Sequence, residues 1–256
     1  MRVTILGCGG SGGVPLIGND WGDCDPANPR NRRRRCAILV EAAGQVVLVD
    51  TPPDLREQLL DANVRHLDAV LYTHSHADHV HGIDDLRAVN WLVGRPMDVY
   101  ADRETLDDLQ SRFDYCFSKP KGTFFARPAL TAHEITGPFD INGLEIVPFV
   151  QDHGYTRSLG YRFGRFAYST DVVRLDEAAF AALDGVDVWV VDCTRRTPHP
   201  VHAHLEATLG WIERVRPRRA YLTHMNQTLD YDTLMRELPA GVEPAYDGLV
   251  IEVADD

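Results

Sequence analysis

The chain has 256 residues, 44% of them hydrophobic, enough to bury one large core, and 38 acidic against 26 basic residues leave a formal charge of −12. So acidic a surface repels nucleic acid and anionic lipid at long range, which argues against nucleic acid as a partner, and no run approaches the roughly 20 apolar residues that span a bilayer. Five scattered cysteines (Cys8, Cys24, Cys36, Cys116, Cys193) form no C-x-x-C pair; with no signal-peptide pattern at the start, the expectation is a cytoplasmic protein without a disulfide framework.

In chain order, "RVTIL" reads as a strand running into "GCGGSGG", which contains a literal G-x-G-x-x-G at Gly7, Gly9 and Gly12. A dinucleotide fingerprint also needs a helix there. The next residues, "VPLIGNDWGDCDPANP", are full of breakers, so the motif reads as a tight glycine turn. The irregular stretch 13–35 ends in "NPRNRRRRC", with Arg30, Arg32, Arg33, Arg34 and Arg35 in an otherwise acidic chain. A planar guanidinium suits phosphate. If the segment is extended, only alternate side chains face inward; Arg33 and Arg35 are the substrate-binding candidates, and a solvated basic loop accounts for the rest.

Strands "CAILVE" and "QVVLVD" come next, then a helical pattern over Pro53–Asn63, the strand "LDAVLYT", a helix over Ile83–Val93, the strand "MDVYA" and a helix over Arg103–Arg112. Residues 113–132 are irregular, and about 139–170 is nearly all strand ("LEIVPFV", "SLGYRF", "RFAYST"). Beyond it lie helices over Asp176–Leu183 (capped by Asp176), His204–Val215 and Asp232–Leu238, among the strands "VDVWVVDC", "RAYLTH" and "LVIEV". Strand–helix alternation at both ends of a strand-rich middle predicts packed sheets with helices outside, as one α/β domain over 1–256, rather than a doubly wound parallel sheet.

The densest chemistry is "LYTHSHADHVHG", residues 71–82. Val70–Thr73 reads as a buried strand, so His74 falls at its end, where loops carry function. The spacing H-x-H-x-D-H supplies His74, His76, Asp78 and His79, ordinary ligand types for zinc and similar divalent ions. Packing them without a cation would bury polar groups at a cost, which places the metal reading above a solvated histidine-rich turn. Ligand types recur in the same setting: His153 after "LEIVPFVQD", Asp171 after "RFAYST", His224 after "RAYLT". Seven ligands from four strand ends would hold two ions, with an aspartate free to bridge. Asp50, ending "QVVLVD", reads equally as a residue that orients a ligand or as a plain strand-end turn.

This set, H-x-H-x-D-H with later His, Asp and His after strands, resembles the metallo-β-lactamase superfamily of binuclear metallohydrolases over nearly the whole chain. The resemblance implies a four-layered αβ/βα sandwich, two mixed β-sheets face to face with helices outside and a metal site at one edge. It implies that His74, His76 and His153 hold one ion and Asp78, His79 and His224 the other, with Asp171 bridging; the ions would be Zn2+ or Mn2+. The phosphodiesterase branch is the closer resemblance, above all the phosphoribosyl cyclic phosphodiesterases, through "LGCGGSGGVP", "NRRRRCAILV", "THSHADHVHGIDDLR", "YSTD", "VVDCTRR", "HAHLEATL", "LTHMNQ" and "YDGLVIEV". The tRNA 3′-processing nucleases are similar too, but their long substrate-gripping arm has no counterpart. One departure stands out: the branch's structural zinc uses a cysteine-rich loop and a second late histidine, whereas this chain has only Cys24 and Cys36 there and "MNQ" after His224. No structural zinc is therefore expected.

Two ions about 3.5–4 Å apart can share a water, lower its pKa toward about 7 and polarise a phosphoryl oxygen. The leaving alkoxide then needs a positioned acid. "PHPVHAHLEATLGWI" offers His199, His202 and His204. By resemblance His202 matches the branch's catalytic histidine, with His204 as runner-up and Asp78 also in the catalytic set. The expectation is a metal-dependent phosphodiesterase acting on a small cyclic or nucleotide-like phosphorylated substrate, and relatives imply a homodimer. The same fold also carries iron-dependent oxygenases and cofactor-biosynthesis proteins, but the full ligand set with Asp78 and His202 favours hydrolysis. A non-catalytic module would show disrupted ligands, and none is missing.

Overall fold

The apolar runs become strands because alternate side chains find a core on each side. The computed structural model describes residues 1–118 and 127–254. Its first sheet contains β1 (Arg2–Gly7), β2 (Ala37–Ala42), β3 (Gln45–Val49), β4 (Ala69–Leu71), β5 (Met97–Ala101) and β6 (Leu130–Glu134). The second contains β7 (Phe139–Ile141), β8 (Leu144–Asp152), β9 (Arg157–Phe163), β10 (Phe166–Ser169), β11 (Val188–Asp192), β12 (Arg219–Thr223) and β13 (Val242–Pro244), and β14 (Val250–Glu252) returns to the first. The orders are β14-β1-β2-β3-β4-β5-β6 and β13-β12-β11-β10-β9-β8-β7. Both sheets are mixed. β1 to β3 pair antiparallel and β3 to β6 parallel; β7 to β10 pair antiparallel and β10 to β13 parallel.

Ile38 and Val40 of β2, Val47 and Val49 of β3, and Ala69 and Leu71 of β4 share one apolar cluster with Phe149, Tyr161, Phe163 and Trp189 of the other sheet. The intervening residues Ala37, Leu39, Leu48 and Val70 belong to a second cluster. It is completed by Leu55 of α1 (Leu55–Asp61), Val80 of α2 (Ala77–Val80), Leu86 of α3 (Leu86–Val93), Leu106 of α4 (Arg103–Arg112) and Cys116 of α5 (Asp114–Phe117). The period of two thus serves two cores, each large side chain adding about 1.5–3 kcal/mol on burial. Helices α6 (Glu177–Ala182), α7 (Leu205–Val215) and α8 (Tyr231–Glu237) add Ala179, Ile212 and Leu234 to the first cluster. The result is the four-layered αβ/βα sandwich.

All eleven strand runs read from the sequence are strands, and Asp176 caps α6 by accepting from the Ala179 amide at 2.8 Å. The short β6, β7 and β13 and the one-turn α2 have no clear pattern in the sequence. The stretch 13–35 is irregular apart from a 3₁₀ turn at Pro29–Asn31. Of the irregular 113–132, residues 119–126 lie outside the described residues, while its ends form α5 and the start of β6. No helix among the described residues is long and apolar enough to cross a membrane.

Candidate metal centre

Six carboxylates and imidazoles stand just past the C-terminal ends of strands or on their last residues. These are Asp50 after β3, His74 after β4, His153 after β8, Asp171 after β10, Asp192 ending β11 and His224 after β12. Three of them, Asp50, Asp171 and His224, hold φ of 66°, 55° and 57°. This left-handed backbone is strained for any residue with a Cβ, costing of order 1–3 kcal/mol. It turns each side chain back at the end of its strand, and packing on both sheets holds it there.

The seven expected ligands come together. Single ligand atoms of His74, His76, His153 and Asp171 all lie within 4.8 Å of one another, as do those of Asp78, His79, Asp171 and His224. Asp171 faces both groups. Its Oδ1 lies 3.8 Å from His74 Nε2 and 3.5 Å from His153 Nε2, and its Oδ2 lies 3.1 Å from His79 Nε2 and 3.4 Å from His224 Nε2. Asp78 Oδ2 sits 3.4 Å from His79 Nε2 and 3.7 Å from His224 Nε2. All are buried except His76, which is exposed, and Asp78, which is half-buried.

The opposite edges of the rings decide what these nitrogens can do. His79 Nδ1–H donates to Asp50 Oδ2 at 2.7 Å. Thr73 Oγ1 donates to the same oxygen at 2.8 Å and so accepts from His74 Nδ1–H at 3.0 Å. Thr194 Oγ1 donates to Asp192 Oδ1 at 3.1 Å and accepts from His224 Nδ1–H at 3.1 Å. His153 Nδ1–H donates to the Val201 carbonyl at 2.7 Å. Each ring is pinned with its Nε2 lone pair aimed inward, as metal-binding imidazoles are. The Nε2 atoms of His74, His79 and His224 are buried without a hydrogen-bond partner, a cost of about 1–3 kcal/mol each. A cation satisfies them all, so the residues present fit a metal site.

Electrostatics points the same way. Burial would lower His224, yet Asp171, Asp192 and Asp78 around it raise it to about 9. Burial likewise opposes charge on His79, but Asp171, Asp78 and Asp50 push it well above the usual imidazole range. His74, farther from the carboxylates, is held well below that range by burial and by His79. Burial would raise Asp171, but His224, His79 and His74 hold it well below the usual carboxylate range. The carboxylates thus draw positive charge onto the nearest imidazoles, the role a bound cation would take.

His202 lies beside this cluster. Its ring centroid is 4.6 Å from that of His224 and 4.8 Å from that of His153, and its Nδ1–H donates to Asp192 Oδ2 at 3.3 Å. The His199 ring lies tilted beside it, centroids 5.2 Å apart. His204 is not gathered in; it precedes α7, and its backbone bridges to Arg195. The two candidate arginines have partners within the chain. Arg33 is 2% exposed, and its guanidinium donates to the carbonyls of Asn226 and Leu229 and to Asn31 Oδ1, fastening the 24–35 loop to the 226–229 loop. Arg35 pairs with Asp54 at 2.8 Å. Neither lines the cavity beside the histidines, since carbonyl and acidic partners elsewhere hold their side chains. Asp192, which ties Thr194 and His202 together, is absent from the residues singled out in the sequence. Ending "VWVVD" much as Asp50 ends "QVVLVD", it was open to the same strand-end argument.

The comparisons with known proteins agree with this geometry. The beta-lactamase superfamily domain matches residues 45–225. A solved structure described as a new diphosphatase from the PhnP family superposes with a TM-score of 0.90 at 35% identity, covering 99% of this chain and 98% of that one. A protein of Porphyromonas gingivalis named octanoyltransferase is 33% identical over 254 residues; the match covers 97% of this chain but only 51% of that protein's length. A ribonuclease Z of Bradyrhizobium diazoefficiens is 47% identical over 60 residues, 23% of this chain and 20% of that one. With one matching domain spanning most of its length and a full-length structural relative, the chain belongs to the beta-lactamase superfamily and, within it, to the PhnP family.

Proposed function

We propose that this chain is a metal-dependent phosphodiesterase that hydrolyses a small nucleotide-like or cyclic phosphate ester. The observation that carries the reading is the convergence of seven ligand-type side chains, three with orphaned buried Nε2 atoms and one an aspartate whose two oxygens face two separate groups. His74, His76 and His153 would hold one divalent cation and Asp78, His79 and His224 a second, with Asp171 shared. Bound there, two such ions supply Lewis acidity that makes a water nucleophilic near neutrality and polarises a phosphoryl oxygen.

The chain's own residues supply the remainder. Asp50 and Thr73 lock the rings of His79 and His74, and Asp192 through Thr194 locks His224. His202, with Nδ1–H on Asp192, presents Nε2 as the atom that holds a proton for the departing oxygen. The similarity to a diphosphatase supports phosphate as the reacting group. The net charge of −12 disfavours a long polyanionic substrate.

The test is metal analysis coupled to turnover of a substrate panel: bis(4-nitrophenyl) phosphate, five-membered cyclic phosphates, phosphomonoesters, a thioester and a lactam. Two ions per chain, zinc or manganese, with phosphodiester turnover are expected. Thioester or lactam cleavage without phosphodiester turnover rejects the reading, as does oxygen consumption with iron as the sole active metal.

A further inference from the structure

His224 follows β12 with a left-handed backbone, φ 57°, and the chain then runs to α8 at Tyr231 with no strand or helix between. That segment must be held if the His224 ring is to keep its place. Its first residues are tied by backbone alone: Met225 N–H donates to Cys8 O at 2.9 Å, Gly10 N–H to Met225 O at 3.2 Å and Asn226 N–H to Thr194 O at 3.0 Å. The carbonyls of Asn226 and Leu229 meet one side chain, that of Arg33.

The Arg33 guanidinium donates to Leu229 O at 2.7 Å, to Asn226 O at 3.2 Å and to Asn31 Oδ1 at 3.3 Å, and it reaches Cys24 Sγ at 3.8 Å. Among the described residues no carboxylate pairs with it. Asn31 is fully buried and steadies the fork: its Oδ1 also accepts from Tyr231 N–H at 2.8 Å, and its NH2 donates to Asp230 Oδ2 at 2.7 Å. The backbone of Arg33 meanwhile exchanges two hydrogen bonds with Val14, at 2.8 and 2.9 Å. It passes the glycine turn so closely that a Cβ on Gly9 would lie 2.9 Å from the Arg33 Cβ. One residue thus spans the glycine turn and the segment behind His224.

Its neighbours behave otherwise. Arg32 is exposed and lies over the Trp21 ring, while Arg34 and Arg35 pair with Asp61 and Asp54. A buried charge without a counter-ion is a poor way to stabilise a fold, because its desolvation opposes its hydrogen bonds. What a guanidinium supplies there is geometry, a planar fork whose donors have fixed directions.

We propose that Arg33 is a positioning residue for the second ion: through the Asn226 and Leu229 carbonyls it fixes the segment behind His224, and so sets the affinity of the ion that His224 shares with Asp78 and His79. The inference rests on the two-ion reading and separates the two ions, since His74, His76 and His153 have no such link to Arg33.

The test titrates zinc against a chromophoric chelator in two backgrounds, each keeping the ligands of one ion. His76→Ala retains Asp78, His79, Asp171 and His224; Asp78→Ala retains His74, His76, His153 and Asp171. Arg33→Met keeps the bulk and loses the fork. It should lower zinc affinity about tenfold or more in the His76→Ala background and about threefold at most in the Asp78→Ala background. Arg33→Lys restores the charge but reaches fewer acceptors at once, and should recover part of the loss. Circular dichroism checks the fold, and where Arg33→Met does not fold, Arg33→Lys is compared with the native arginine across the same two backgrounds. Equal losses in both backgrounds make Arg33 a general stabiliser, and no loss in either detaches it from His224; each overturns the inference. A wild type that binds no zinc counts against the metal centre itself and takes this inference with it.

Discussion

Asp50 accepts from His79 Nδ1, Thr73 Oγ1 and the Thr73 amide, yet lies behind the ligand groups rather than in them. Asp50→Asn keeps the shape but turns one acceptor into a donor that must face His79 or Thr73. The expected outcome is metal affinity lower by about 10–100-fold, read by competition with a chromophoric chelator; unchanged affinity would mean that the rings orient themselves. His202 makes the opposite case. It touches Asp192 and the two flanking rings, and it belongs with Asp192 and His224 to a third group of ligand-type side chains rather than to the two that share Asp171. His202→Ala should leave metal content unchanged and slow esters with poor leaving groups about 10²–10⁴-fold, with a far smaller effect on activated aryl esters. Equal losses on both would remove its role as an acid.

Elements meet the site through their ends, and Asp247 shows how those ends are fastened. Its carboxyl accepts from the Arg34 amide at 2.8 Å and the Cys8 amide at 3.2 Å, joining the glycine turn, the arginine segment and the approach to β14. Burial raises it to about 7, despite the opposing amides and the Arg34 guanidinium. An unfolded aspartyl group titrates near 3.9, so between about pH 4 and 7 the native state keeps a proton that the unfolded chain has lost. That contribution is fully present below pH 4 and disappears as pH rises through 7. The stability of the native chain relative to Asp247→Asn should therefore fall from pH 4 to 7 and level off above 8, measured by urea unfolding across that range. A difference that is flat with pH would show an ordinary carboxyl. The buried guanidinium of Arg33 ties a neighbouring pair of loops through the carbonyls of Asn226 and Leu229.

For the whole molecule, the site spans both sheets: Asp50 and His74 come after strands of the first, and His153, Asp171 and His224 after strands of the second. A cation held there would cross-link the sandwich. Zinc at 100 times its Kd should stabilise the chain by about 2.7 kcal/mol through mass action, seen as a raised unfolding midpoint that a chelator reverses. An unmoved midpoint would indicate that the cluster binds no metal in the folded state.

The sequence alone determined a good deal. Apolar runs with a period of two marked eleven of the strands, and the H-x-H-x-D-H spacing with ligand-type residues at later strand ends marked the seven side chains that the fold gathers. Those signals are local, set by backbone periodicity and by the chemistry of single residues. The short β6, β7 and β13 owe their existence to partners already in place and carry too little pattern to be read. What only the tertiary structure decided is where each polar group finds its partner. Asp192 reached His202, Asp54 claimed Arg35, and the carbonyls of Asn226 and Leu229 claimed Arg33 across nearly 200 residues. The physical reason is that a hydrogen bond or ion pair is won by whichever partner burial brings within about 3 Å, and no spacing along the chain records that distance.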